Sequence, residues 1–130
     1  MLFTAHASAT ETGCLAYEPA ETAITGKLVR LVFPGPPNFE SIALGDEAEI
    51  HFYLVPAQPI CTDGDASSAT HYPQHDVNLV QLVLRRGQYQ ALKASLGRKV
   101  TLIGSLFAAH TAHHHAPLLL DLATKSTLGH

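Results

Sequence analysis

Residues 78–107 read NLVQLVLRRGQYQALKASLGRKVTLIGSLF and pass from a strand pattern to a helix pattern and back to a strand pattern. Residues 78–84 and 100–107 are apolar runs of strand length. Between them, residues 88–96 repeat apolar side chains at helical spacing, and Gly97 follows as a helix stop signal. The stretch therefore predicts two strands joined by one helix, whose apolar face carries Tyr89, Leu92 and Leu96.

Strand patterns continue on both sides of this unit. Residues 22–33 (TAITGKLVRLVF) and 47–55 (EAEIHFYLV) alternate apolar and polar side chains, and residues 118–123 (LLLDLA) form a last apolar run. Residues 62–76 are polar and predict an exposed loop. The predicted order is three strands, one helix and two strands.

That order predicts an all-β chain with one helix, built as a five-stranded, OB-fold-like Greek-key barrel. Gly26 and Gly104 lie inside the first and fourth strands, where a small barrel must bend sharply to close. The competing architecture is a small β-sandwich. The predicted interior contains Ile24, Leu28, Ile50, Phe52, Leu54, Val100, Leu102, Leu106, Leu118, Leu120 and Leu122.

The chain has 130 residues, which is room for one core, and we assign the domain to residues 13–125. Residues 126–130 are a predicted tail. Residues 1–12 are either a tail or the remnant of an export signal, because Ala7-Ser8-Ala9 has the small-x-small form of a signal-peptidase site. Export predicts a periplasmic or secreted protein.

Two cysteines, Cys14 and Cys61, are the whole thiol content of the chain. An even count in a small exported chain predicts one disulfide between them, with two buried free thiols as the alternative. Neither lies in a redox motif.

The charge balance constrains the partners. A net charge of −3 and the absence of Trp argue against a nucleic-acid groove, which needs basic residues and stacking aromatics. No apolar run is long enough to span a membrane, so we expect a chain that is not membrane-embedded.

Four of the nine histidines lie between residues 110 and 115, in the predicted connection between the last two strands. In an extended segment His113 and His115 point to one side and His114 to the other. With His110 as a third ligand and Asp46 or His51 completing the set, the imidazoles could bind zinc or copper. The alternative is that these rings pack and hydrogen-bond to order the connection.

OB barrels bind ligands beside the connections between strands one and two and between strands four and five. Here those connections are residues 34–46 and 108–117. The first is proline-rich, which lowers the entropy cost of ordering it against a partner. The predicted binding rim therefore contains Pro36, Pro37, Phe39, His110, Thr111 and His114.

Several short motifs follow one another: CLAYEP (14–19), GKL (26–28), PGPPNFE (34–40), GDE (45–47), PIC (59–61), QLVL (81–84) and GSLFAAHTAHHH (104–115). Together they resemble a family of small bacterial proteins catalogued as a domain of unknown function, over about residues 14–122. The most specific piece is His-Thr-x-His-His. The family often has Thr where this chain has Ala116. The resemblance implies an OB-like fold and an exported location, and no activity.

Three functions remain open at this stage. The first is an exported, non-enzymatic binding module that holds a protein or a cell-envelope ligand at its rim. The second is a periplasmic zinc or copper protein centred on the histidines. The third is a nucleic-acid-binding OB module, which the charge disfavours. No phosphate-binding loop or nucleophile motif is present, so we predict no enzymatic activity.

Overall fold

The computed structural model describes residues 13–124. The described chain is mostly β-structure with one short helix. Its strands are β1 (Glu21–Pro34), β2 (Ala48–Pro56), β3 (Ile60–Thr62), β4 (Gln74–Val77), β5 (Val80–Val83), β6 (Lys99–Ala108) and β7 (Leu118–Leu122). The helix α1 (Gln88–Leu92) continues into a 3-10 turn at Lys93–Ser95.

Five strands form one mixed sheet in the order β1-β2-β5-β7-β6, and β6 also pairs with β1, so the sheet closes on itself. The pairs are antiparallel except for β5 and β7, which run parallel. The predicted strands all occur, with boundaries shifted by one or two residues. The predicted helix is present but shorter in its α-helical part, and Gly97 follows it with a positive φ of 85°.

The core lies inside the closed sheet, where inward positions of all five strands meet. Leu28, Leu54, Leu102 and Leu120 are completely buried, and Leu92 of α1 is 2% exposed. Of the predicted interior, Ile50 is the exception at 43% exposed. Its position in the alternation of β2 is that of the inward-facing residues. However, it pairs with Val32 near the β1–β2 loop, where no other strand pairs with these two residues.

Residues 62–76 were predicted to be an exposed loop, and this is wrong at both ends. Strands β3 and β4 form a separate two-stranded sheet there. Thr62 and Gln74, which are register partners, are buried despite their polar side chains. These strands have only three and four residues, and some of their inward positions are polar. The sequence therefore shows no alternation of apolar and polar residues from which they could be predicted.

The disulfide prediction is confirmed: Cys14 and Cys61 are bonded. The bond ties the segment before β1 to β3, and backbone hydrogen bonds from Leu15 to Cys61 and from Asp63 to Leu15 continue the attachment. Among residues 13–124, no helix is long and apolar enough to cross a membrane.

Candidate functional site

The β1–β2 loop (residues 35–47) is organised by one carboxylate. Asp46 accepts hydrogen bonds from the backbone N–H groups of Asn38, Glu40 and Ser41 at 2.8–2.9 Å. These bonds, that of Ser41 first, hold the pKa of Asp46 below its usual range. Asp46 therefore holds the loop together, and its oxygens are already committed to backbone donors.

Phe39 projects from this loop in a strained conformation. Its φ is 55°, a left-handed value that bulky side chains rarely adopt. Its ring meets the ring of His113 edge-on, at 5.1 Å between centroids. Backbone strain of this kind persists where the surrounding structure enforces it, and it is concentrated at functional sites.

The histidine loop (residues 109–117) connects β6 to β7 and divides its four imidazoles into two pairs. His113 Nδ1 donates to Oε2 of Glu49 at 2.6 Å, and His115 Nε2 donates to Oε1 of the same carboxylate at 2.7 Å. His115 is also stacked flat on Phe33, with centroids 4.9 Å apart and planes 3° from parallel. One carboxylate thus holds alternate residues of the loop.

The other pair orders the turn within the loop. His114 Nδ1 accepts hydrogen bonds from the backbone N–H groups of His110 and Thr111, at 3.0 and 3.3 Å. The His110 and His114 rings pack at 4.7 Å, and both contact Phe107. An acceptor nitrogen must carry no proton, so this role requires a neutral His114.

The three histidines predicted as metal ligands are therefore not gathered together. His113 and His115 share Glu49, whereas His110 packs with His114 and bonds through Nδ1 to the Ala108 carbonyl. Within residues 13–124, no group of three or more His, Cys, Asp or Glu side chains has a metal-binding arrangement. Zinc or copper binding by this loop remains a prediction.

The predicted rim residues fall on the two loops. Phe39 and His113 bring the loops into contact, and His110, Thr111 and His114 form the turn of the histidine loop. Pro36 and Pro37 lie at the start of the β1–β2 loop, joined by a cis peptide bond. The Pro36 carbonyl closes that loop by accepting from the Glu47 N–H.

Sequence reasoning missed the groups beneath the rim, chiefly Glu49 and Gln81. Gln81 on β5 is 4% exposed and binds the histidine loop twice. Its Oε1 accepts from the His115 N–H at 2.7 Å, and its Nε2 donates to the His113 carbonyl at 3.2 Å. The signal for Glu49 was available, because it shares the polar face of β2 with His51, a residue already considered as a ligand.

The carboxylate of Glu49 is 15% exposed. Burial acts to raise its pKa, but the hydrogen bonds from His115 and His113 outweigh burial and hold the pKa below its usual value. Glu49 is therefore ionised at neutral pH. Burial lowers the pKa of the neighbouring His51, so that its ring favours the neutral form.

An open cleft of about 380 Å³ lies beside the histidine loop. Its polar lining comes from the outer face of β2 and β5 together with the histidine loop, and Tyr89 of α1 contributes an aromatic ring. The side chains that line it are Glu49, His51, Gln81, Leu82, Val83, Leu84, Tyr89, His113, His114 and Leu119. A concave site with a few convergent polar groups is the usual form of a binding site.

The β3–β4 hairpin supports the histidine loop from below. The Tyr72 hydroxyl donates to the Ala109 carbonyl at 2.8 Å, and Gln74 Nε2 donates to the Pro117 carbonyl at 2.8 Å. These two carbonyls belong to the first and last residues of the loop. Both ends of the loop are thus held by side chains of one hairpin.

A buried hydroxyl links these two supports to the disulfide region. Tyr17 OH donates to the Tyr72 carbonyl at 2.6 Å and accepts from Gln74 Nε2 at 3.2 Å. It also accepts from the Thr62 hydroxyl at 3.0 Å, and Thr62 follows Cys61. The network therefore runs from the disulfide to the loop ends.

Stability is expected to fall as the pH is lowered from about 7 to about 5, because of His51 and His114. Burial lowers the pKa of both rings in the folded chain. As the pH passes through about 6.5, the unfolded chain therefore binds protons before the folded chain does, which favours unfolding. Glu49 adds a loss in the same direction at lower pH, because the unfolded carboxyl takes up its proton before the folded one, whose pKa is depressed.

Urea unfolding at pH 5, 6 and 7 measures this slope. His51→Gln is expected to flatten it, whereas His75→Gln, at an exposed position on β4, serves as the matched control. An unchanged slope in His51→Gln would remove His51 from the explanation.

Tyr53→Phe is expected to leave stability unchanged or raise it by about 1 kcal/mol. Tyr53 is completely buried on β2, and its hydroxyl has no hydrogen-bond partner among the described residues. Burial is also the main cause that raises the pKa of this hydroxyl. Thermal and urea unfolding would measure the change, and a clear loss of stability would show that the hydroxyl has a partner.

Comparison with models of protein families finds a match to part of the chain. Residues 79–125 match the model of a family described as a domain of unknown function (DUF4431). The matched part contains β5, α1, β6, the histidine loop and β7. No curated protein and no solved structure matches the chain.

Proposed function

We propose that this chain, which resembles an uncharacterised family over residues 79–125, is a non-enzymatic binding module. It holds a protein or a cell-envelope ligand at the rim formed by the β1–β2 loop and the histidine loop. The observation that carries the proposal is the open cleft of about 380 Å³ between the histidine loop, β2, β5 and α1.

The strand order supports an OB-type barrel as the framework of this module. Numbered along the chain, the five strands of the closed sheet are β1, β2, β5, β6 and β7. The fourth lies beside the first, and the resulting order 4-1-2-3 supports a Greek-key arrangement. The helix lies between the third and fourth strands, as the sequence predicts for this fold. In such barrels the face of strands two and three is the usual binding surface, and the cleft lies there.

The disulfide supports an exported location, because disulfides persist in oxidising compartments and are rare in the cytosol. The net charge of −3 disfavours a nucleic-acid ligand. Beneath the rim, His113 and His115 are both engaged by hydrogen bonds to Glu49. That arrangement suits binding better than proton transfer.

Zinc or copper binding is a second candidate, favoured by the convergence of His113 and His115 on Glu49. Two imidazoles and a carboxylate form a donor set that zinc accepts. Calorimetric titration of tag-free protein with Zn²⁺ and Cu²⁺ tests this candidate. Binding that is lost in His113→Ala/His115→Ala supports it, and equal affinities in the two proteins exclude it.

Site-specific photocrosslinking tests the binding module. A benzoyl-phenylalanine replaces Tyr89, which lines the cleft and is 38% exposed. The matched control places the same crosslinking residue at Val55, which is 40% exposed. Val55 lies near the C-terminal end of β2, at the end away from the β1–β2 loop. In the native cells we expect a discrete adduct from position 89 and none from position 55.

The adduct is then digested with protease, glycosidases or nuclease. Sensitivity to protease or to glycosidases agrees with a protein or an envelope ligand. Equal adducts at both positions, no adduct at position 89, or an adduct that nuclease removes would each contradict the proposal.

A further inference from the structure

Seven of the eight basic residues of the chain lie in two segments that contain no acidic residue. Residues 77–120 carry five Lys or Arg, residues 22–39 carry two, and neither segment contains an Asp or a Glu. The fold brings these segments together, because β6 of the longer one pairs with β1 of the shorter one. Although the net charge of the chain is −3, its positive charge is therefore concentrated on one part of the fold.

The positive side chains meet where β6 begins beside β1. Lys27 and Lys99 lie directly opposite each other on the outer face of these strands. The N–H of Leu28 donates to the Arg98 carbonyl at 2.9 Å, and the N–H of Gly97 donates to the Leu28 carbonyl at 2.7 Å. These bonds fix the backbone at this point. The five exposed residues around it, which we call the basic patch, are Lys27, Arg30, Lys93, Arg98 and Lys99.

The charges of the basic patch are not balanced within the fold. Like charges directly opposite each other on neighbouring strands are destabilising, and Lys27 and Lys99 form such a pair. Among residues 13–124, no side chain of the patch forms an ion pair with an Asp or a Glu. By contrast Arg85, outside the patch, is paired with Asp121 at 2.9 Å. An anionic partner would relieve the repulsion within the patch.

The surroundings of the patch indicate the kind of anion. None of its residues lines the cleft beside the histidine loop or two smaller clefts of about 310 and 100 Å³, so the patch is an open surface rather than a pocket for a small anion. It contains no aromatic ring on which nucleic-acid bases could stack. Val32, two positions from Arg30 on β1, is an aliphatic side chain that is 46% exposed. Positive charges beside an exposed aliphatic group suit the headgroup layer of a bilayer.

We propose that the basic patch docks the chain on the surface of a bilayer that contains anionic lipids. Clusters of about four to eight Lys or Arg are typical of surfaces that bind anionic headgroups, and each such residue strengthens binding about fivefold. The contact is peripheral and electrostatic. It goes beyond the proposed function, because the histidine loop leaves the opposite end of β6 and the patch contributes no residue to the rim.

Co-sedimentation of the disulfide-bonded chain with vesicles tests the proposal. One set of vesicles contains phosphatidylcholine mixed with phosphatidylglycerol, and the other contains phosphatidylcholine alone. We expect the chain to bind the first set and not the second at about 0.05 M salt. The binding should be lost at about 0.5 M salt, because exposed charges are then screened over a few ångströms.

Two variants with the same net charge locate the binding surface. Lys27→Gln/Arg98→Gln/Lys99→Gln removes three charges from the patch and should weaken binding to the anionic vesicles about a hundredfold. The matched control, Ala66→Glu/Ala69→Glu/His75→Glu, lowers the net charge by the same amount at exposed positions elsewhere. It should bind within about threefold of the wild type. Circular dichroism checks that both variants fold. If the patch variant does not fold, Lys27→Gln alone should weaken binding about fivefold.

Equal binding to the two sets of vesicles, or an equal loss of binding in the two triple variants, would overturn the proposal. Sedimentation that persists at the higher salt concentration would also overturn it, because the contact would then not be electrostatic. A duplex oligonucleotide serves as a competitor. If it binds the wild type more tightly than the anionic vesicles do, the patch belongs to a nucleic-acid site and the lipid proposal is rejected.

Discussion

Removal of the Cys14–Cys61 disulfide is expected to lower the free energy of unfolding by about 4 kcal/mol. The two residues are 47 positions apart. On the chain-entropy model, cross-linking a loop of that size removes about this much freedom from the unfolded chain. The folded chain keeps the backbone hydrogen bonds of Leu15. The lower stability of the double variant therefore comes mainly from the greater conformational entropy of its unfolded chain.

Urea unfolding of the wild type and of Cys14→Ala/Cys61→Ala measures this change. Adding a reductant should shift the midpoint of the wild type toward that of the double variant and leave the double variant unaffected. Intact-mass measurement of the non-reduced chain establishes the starting state. Coincident unfolding curves for the oxidised wild type and the double variant would contradict the prediction.

Gly104→Ala is expected to destabilise the chain by about 3 kcal/mol, at the upper end of overpacking effects. A Cβ at this position would overlap the backbone carbonyl oxygen of Asp121, and the carbonyl carbon would be 2.9 Å away. Gly104 is paired with Thr22 on one side and with Leu122 on the other. The overlap can therefore be relieved only by breaking the pairing of β6 with β1 or with β7. The entropic gain from replacing a glycine, about 0.4–1 kcal/mol, is too small to compensate.

Ser105→Ala is the matched control, since it changes the adjacent, partly buried position of β6 without adding an atom where the strands meet. We expect it to alter stability by less than about 0.5 kcal/mol. Thermal unfolding of both variants provides the comparison. If Gly104→Ala has the same melting temperature as the wild type, β6 and β7 do not approach each other as closely as described.

Much of the framework could be predicted from the sequence, because period-two alternation reports directly which side chains face a core. Residues 22–33 and 47–55 show it clearly, and the structure has strands there. Ile50 has the right parity and is still exposed, because alternation records the face of a strand and not where the neighbouring strands end. The β3–β4 hairpin escaped detection because Thr62 and Gln74 are buried by hydrogen bonding and not by hydrophobicity.

The candidate site was predicted only in part. The spacing of the histidines predicts that the ring of His114 points away from those of His113 and His115. In the structure, His113 and His115 bind Glu49, whereas His114 binds backbone N–H groups of its own loop. Spacing cannot reveal that both rings meet Glu49, which lies 64 and 66 residues away along the chain. That contact depends on how two loops close over the sheet.

The anchoring of the histidine loop has a consequence for engineering. The chain leaves the sheet at Ala109 and returns at Pro117, and both points are fixed through carbonyl groups by Tyr72 and Gln74. A backbone carbonyl is present whatever residue occupies the intervening positions. The residues between these two anchors could therefore be replaced by other sequences. The positions at which the chain leaves and re-enters the sheet would not change. Libraries of altered binding specificity could be built on this chain by that route.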